Sequence, residues 1–124
     1  MKNMSCRFLI FVLFLSISTS GKDILIEPGP NAHERLQEAM ILMNKGDTLI
    51  IESGYYDFED GLSLDVDGVT VVGRGMEKTI LDFKNQKSGA QGFLVTSNGV
   101  TLKDFAILDA KGDALKVIGA KGIS

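Results

Sequence analysis

Asp82 and Asp109 close two like phrases of the chain, Thr79-Ile80-Leu81-Asp82 and Ala106-Ile107-Leu108-Asp109. Carboxylates in equivalent places of a repeat are expected to stack on neighbouring turns, where two of them can share a calcium ion or form part of a substrate groove. The plainer role, and the preferred one, is for each to accept a hydrogen bond from a corner amide. Asp104, Asp109 and Asp113, with Lys111 and Lys116, make the densest charged cluster and the place to look for a groove. Alternation on a solvated strand face explains them equally well. Arg74 lies between Gly73 and Gly75, an exposed cation that can meet a ligand carboxylate. Tyr55 and Tyr56 can stack on a sugar, although a tyrosine after a turn glycine more often packs its ring over the first coil. His33 is the only histidine; it falls in the first turn of an expected helix and is read as solvent-facing rather than as a base. No metal-ligand cluster, nucleophile beside a base or phosphate-cradling loop is legible, so no catalytic residue, metal site or cofactor site is assigned.

The elements that must position these residues are short. From Gly46 to Phe83 the chain strings brief apolar alternations between glycine and aspartate, and none is long enough for an ordinary helix. Strands are expected over 23–27, 47–51, 55–58, 62–64, 69–72, 79–83, 93–95, 100–102, 105–109 and 114–118, with Ile123 beginning another. The triplet Gly68-Val69-Thr70 returns as Gly99-Val100-Thr101 after 31 residues, whereas Gly99 to Gly122 is 23. The excess is the polar segment 84–92, read as a loop thrust out of the side of the coil. Such a recurrence indicates a solenoid whose turns bury one another's apolar faces. Asp67-Gly68 and Asn98-Gly99 suit sharp corners, and they also suit two-residue hairpins, which leaves an antiparallel meander as the rival.

One helix is expected over 31–43. Asn31 is placed as its cap, with Glu34 at the spacing of a capping box; Asn44, Lys45 and Gly46 are read as its stop, with Gly46 able to turn left-handed. Leu36, Ala39, Met40 and Met43 share one face. So short a helix is marginal alone, and its stripe is read as a lid over the first coil.

The first 20 residues are set apart. Lys2 and Arg7 precede the apolar run 8–17 and small residues follow it, the pattern of a secretory signal. As a helix the ten-residue run reaches about 15 Å, roughly half of a bilayer's hydrocarbon core, which argues against a spanning segment; an uncleaved anchor is the rival. Cys6, the only cysteine, lies inside this signal, so the mature chain of residues 21–124 has no disulfide. Removing Lys2 and Arg7 takes the net charge from −3 to −5, with 11 basic residues against 16 acidic ones. That balance disfavours nucleic acid and anionic membranes as partners. The expected location is outside the cytoplasm, periplasmic or extracellular.

The sequence of a helix, Gly-Asp-Thr, an apolar strand, a glycine before tyrosine, then Asp-Gly-Val-Thr-Val-Val-Gly and Thr-Ile-Leu-Asp resembles the N-terminal end of the right-handed parallel β-helix proteins of the pectin lyase-like superfamily. The likeness covers residues 24–124, with Glu52-Ser53 where relatives often carry prolines. It implies an all-β solenoid, a right-handed single-stranded parallel β-helix with an N-terminal capping helix, here cut off after about three to four coils. It also implies a glycan laid along the outer face of stacked strands. The expectation is an exported protein, this chain being an N-terminal fragment, whose intact form binds or acts on acidic polysaccharide as a lyase or epimerase. Calcium is admitted by the resemblance. The alternative is a non-catalytic β-helix module, structural, adhesin-like or a maturation accessory. No turnover is expected of the chain itself.

Overall fold

The computed structural model describes residues 21–88, 91–118 and 122. Residues 1–20, read from the sequence as a signal and containing Cys6, and Ile123 lie outside them. The described strands are β1 (Asp23–Ile26), β2 (Thr48–Ile51), β3 (Gly54–Asp57), β4 (Leu62–Leu64), β5 (Thr70–Val72), β6 (Thr79–Asp82), β7 (Phe93–Val95), β8 (Thr101–Lys103), β9 (Ala106–Leu108) and β10 (Leu115–Val117), with one helix, α1 (Ala32–Leu42), between β1 and β2.

Strands of three or four residues cannot bury both their faces and their edges alone. They stack instead into three sheets, in the orders β1-β2-β5-β8, β3-β6-β9 and β4-β7-β10. Every pairing is parallel. A hairpin meander would pair consecutive strands antiparallel, so that alternative is excluded. Each coil contributes one strand to each sheet, and β2-β3-β4, β5-β6-β7 and β8-β9-β10 are successive coils.

The period-2 alternation places one set of side chains in the bore. Leu49, Ile51, Leu62, Leu64, Val71, Leu81, Phe93 and Val95 are each no more than 1 % exposed. Phe58 and Phe83 stack through the interior with centroids 4.8 Å apart. At the corner entering the first sheet, Gly46, Gly68 and Gly99 lie one above another with φ of 93°, 67° and 67°. The Gly46 N–H donates to Gly68 O at 2.9 Å and the Gly68 N–H to Asn98 O at 2.8 Å. A β-carbon is strained at such a dihedral, which is why glycine recurs there.

The helix closes one end of the bore. Leu36 and Met40 are buried beneath it, with Met43 just beyond its last turn. Burying a side chain of that size stabilises by about 1.5–3 kcal/mol, so the lid and the first coil hold each other. Its N-terminal end differs from expectation. Asn31 takes a left-handed conformation, φ 60°, and its side chain caps nothing. The turn closed by Ala32 N–H to Gly29 O, 3.2 Å, imposes that conformation, whereas a side-chain cap needs an extended residue. At the other end the helix does stop before Asn44, and Gly46 has the expected positive φ of 93°; Met43, already extended, makes the break itself, and Gly46 serves the glycine corner. Asp47 braces that corner, its carboxylate accepting the N–H of Lys22 at 3.0 Å and of Asn44 at 2.8 Å.

The polar segment after β6 is not thrust outward where it is described. Asn85 donates to both oxygens of Asp57 at 3.0 Å, Lys87 Nζ meets Glu59 at 3.2 Å, and the Ser88 hydroxyl donates to Asp60. Gln86 is buried, its amide donating to Ser88 O and Gln91 O. Residues 85–88 are thus folded down against the preceding coil at three successive points. The reason is compositional: Asn85, Lys87 and Ser88 each meet an acid of the 57–60 corner.

Candidate functional site

The residues with chemistry on them gather on the outer face of β3-β6-β9. Alternation turns Tyr56 inward and Tyr55 and Asp57 outward. Parallel pairing then sets Tyr55 beside Ile80 and Asp57 beside Asp82. The Tyr55 ring remains 49 % exposed while its hydroxyl donates to the Asp82 carboxylate. That carboxylate is only 4 % exposed and also accepts the Lys84 N–H at 2.9 Å. The Lys84 ammonium stands 5.7 Å from the centre of the Tyr55 ring, within cation–π range.

These contacts set the charges of the face. Burial pushes the Asp82 carboxyl up, but the hydrogen bonds from Tyr55 and Lys84, with the Asp109 carboxyl as a further neighbour, outweigh it and hold the acid below its ordinary value. The same bond raises the Tyr55 phenol, since ionising it would set two negative charges together. Lys84 is raised by its contacts with Tyr55 and Asp82 and stays an ammonium. The result is an aromatic plate anchored at its hydroxyl with one fixed cation beside it. Such a plate can stack against the apolar face of a ring while the ammonium meets a carboxylate.

Next to the plate opens a cleft of about 450 Å³ between the first turn of α1 and the end of β3. Tyr55, Asp57, Glu59 and Asp60 form one wall; Asn31, His33 and Glu34 form the other. His33 is not solvent-facing as expected. It is half-buried, its ring set edge-on to Phe58 at 5.3 Å and its Nε2 donating to Gly61 O at 3.3 Å. A carbonyl only accepts, so the proton sits on Nε2 and that nitrogen is unavailable as a base.

Asp82 and Asp109 are neighbours, but not through the repeat that suggested it. The partner of Asp82 across the sheet is Leu108, and Ile80 lies beside Ala106, one place away from the alignment of the two Ile-Leu-Asp phrases. Asp109 falls beyond β9 in a left-handed conformation, φ 57°, which returns its carboxylate toward Asp82. The larger charged cluster is dispersed. Asp104 turns the corner between β8 and β9 with φ 63°, Asp109, Lys111 and Asp113 lie between β9 and β10, and Lys116 stands on the outer face of β10. None of the five makes an ion pair among the described residues.

Arg74 is engaged. Its Nε donates to one Glu52 oxygen at 2.7 Å and its Nη2 to the other at 3.0 Å, a bidentate clamp between two coils. Tyr56 is wholly structural: its ring is buried and its hydroxyl donates to Glu52 O at 2.8 Å and Ile26 O at 3.2 Å, with burial pushing the phenol up to about 12. Lys84 and Asn85 were missed in the sequence, where they read as generic loop residues. Their place on the polar side of a buried Phe83 was the available signal. Among the described residues no group of three or more His, Cys, Asp or Glu side chains is placed to hold a metal ion, and no step is derived through calcium. No described helix is long and apolar enough to cross a membrane.

No family model, curated protein or solved structure matches the chain. What the coordinates define by themselves is a β-helix-like solenoid, parallel strands in three stacked sheets with one helix.

Proposed function

We propose that this chain is a right-handed coil of the pectin lyase-like kind, exported, which binds an acidic polysaccharide along the outer face of β3-β6-β9. The handedness follows the rule for parallel crossover connections. The observation that carries the binding is the half-exposed Tyr55 ring, fixed through its hydroxyl and flanked by the Lys84 ammonium. An anchored ring loses little freedom when a sugar stacks on it, and the ammonium supplies the charge that a uronate carboxylate needs. The chemical groups around it favour binding without turnover. Asp82 is occupied by two donors and Arg74 by Glu52, so the carboxylate beside the plate and the exposed arginine are both committed to the fold. That commitment favours the non-catalytic alternative over a lyase or epimerase.

Titration of the chain with polygalacturonate and alginate oligomers, followed by calorimetry, tests the proposal. Tyr55→Ala and Lys84→Ala are each expected to weaken binding about tenfold, equivalent to ~1.4 kcal/mol. Added salt should weaken the parent and Tyr55→Ala complexes more than the Lys84→Ala complex. Binding that is absent, or unchanged in both variants, overturns the site. An ultraviolet-absorbing unsaturated product would overturn the non-catalytic part alone.

A further inference from the structure

Asn98 and Gly99 form the corner between β7 and β8. Both are exposed, and Gly99 has φ 67°. The other asparagines of the described chain, Asn31, Asn44 and Asn85, are followed by alanine, lysine and glutamine. Only at Asn98 is the next amide nitrogen unshielded by a side chain. Two bonds tie it to the coil below: the Asn98 N–H donates to Asp67 Oδ1 at 2.8 Å, and its carbonyl accepts the Gly68 N–H at 2.8 Å.

We propose that Asn98 is a site of spontaneous deamidation and isoaspartate formation, a covalent modification that lengthens one corner of the coil. The Gly99 nitrogen attacks Cγ of Asn98, forming the N–Cγ bond of a succinimide. The Cγ–Nδ2 bond breaks, and the Gly99 N–H proton passes through water to the departing nitrogen, which leaves as ammonia. Water then opens the ring. Cleavage of N–Cγ gives aspartate at 98; cleavage of the bond between the nitrogen and the Asn98 carbonyl carbon gives isoaspartate, with the chain now running through the former side chain. Turning the Gly99 nitrogen onto Cγ requires rotation at the corner, and of the two bonds named, the one from Gly68 is the one set on the rotating carbonyl.

The pair one coil below makes the internal contrast. Asp67-Gly68 has the same glycine geometry, but Asp67 bears a carboxylate in place of an amide. A carboxylate is the poorer electrophile, so the reaction belongs to the upper corner. Its products matter to the fold. Aspartate at 98 sets a second negative charge next to Asp67, and isoaspartate adds a backbone methylene at a glycine stack where a β-carbon on Gly99 would already touch Gly68 Cα at 3.7 Å and one on Gly122 would touch Gly99 Cα at 3.6 Å. The last coil should loosen.

The test is incubation of the full chain at mildly alkaline pH, with peptide mass spectrometry and labelling by an isoaspartyl methyltransferase. The free peptide Ser97–Lys103 is incubated alongside as the unfolded reference. Conversion at Asn98 is expected before conversion at Asn31, Asn44 or Asn85, together with methyl labelling that is lost in Asn98→Gln and Gly99→Ala. Gly99→Ala stresses the corner while Asn98→Gln leaves its backbone as it is, so retention of fold by the second keeps the result interpretable. A folded chain that leaves Asn98 intact while the free peptide converts, or that deamidates another asparagine first, overturns the proposal.

Discussion

The coil under the helix and the coil of the last described strand are built from the same kinds of side chain and fare differently. At the helical end Leu49, Ile51 and Leu62 lie under Leu36 and Met40, and all five are at most 1 % exposed. In β10, the last described strand, Leu115 and Val117, which pair in register with the buried Phe93 and Val95, are 42 % and 40 % exposed. Strand alternation aims both sets inward, so direction alone does not make a core. Cover from the adjoining layer does, and the helix supplies at one end what a following coil supplies in the middle.

The largest test of that contrast is Leu36→Ala. Removing the buried centre of the lid is expected to cost about 2–5 kcal/mol, measured by urea unfolding, whereas Leu115→Ala should cost about 0.5–1 kcal/mol. Equal losses would break the comparison. Between these lies Thr79→Val in the middle coil. The buried Thr79 hydroxyl donates to Ile51 O at 3.1 Å and accepts the Arg74 N–H at 2.9 Å, joining two coils, and its loss leaves both partners short for about 1–3 kcal/mol.

Proton linkage sharpens the comparison further. Backbone hydrogen bonds from Asn44 and Lys22 hold the Asp47 carboxyl below its ordinary value. A lowered carboxyl stabilises the fold above its unfolded value of about 3.9, and that contribution is lost as pH falls through the lower folded value. Asp47→Asn should therefore flatten the acid limb of stability, measured as melting temperature against pH. Tyr56 acts in the opposite direction. Its phenol is raised to about 12, so its contribution is complete below the ordinary phenol value and fades as pH rises toward 12; Tyr56→Phe should flatten the alkaline limb. The smallest effect is expected at the exposed pair Lys87–Glu59, where Lys87→Ala should cost about 0–1 kcal/mol.

Much of the coil is legible in the sequence because burial is repetitive. Gly68-Val69-Thr70 and Gly99-Val100-Thr101 announce a corner and a strand, and Thr70 does pair with Thr101, Val71 with Leu102. The Leu36 stripe announces a lid. The repeat misleads where letters match but faces do not. Ile80 points outward and Ile107 inward, a slip of one residue that reverses the face of every side chain after it. The slip arises at the corner before β9, where residues 104–105 alone make the connection that takes residues 73–78 in the preceding coil and Asp104 turns left-handed, a conformation aspartate tolerates but does not advertise. The Tyr55 face was partly visible through Tyr55 and Asp82. Lys84 and Asn85 were not, because their partners Tyr55 and Asp57 lie a full coil back and polar contacts leave no periodic trace.

The most direct measurement of the account is the pattern of inter-strand proton contacts by nuclear magnetic resonance in the first sheet. Val71 should show contacts to both Leu49 and Leu102, with the evenly spaced amide-to-α-proton pattern of parallel strands. Close α-proton pairs between β2 and β3, the mark of an antiparallel hairpin, would contradict the stacked coil and with it the face on which Tyr55 stands.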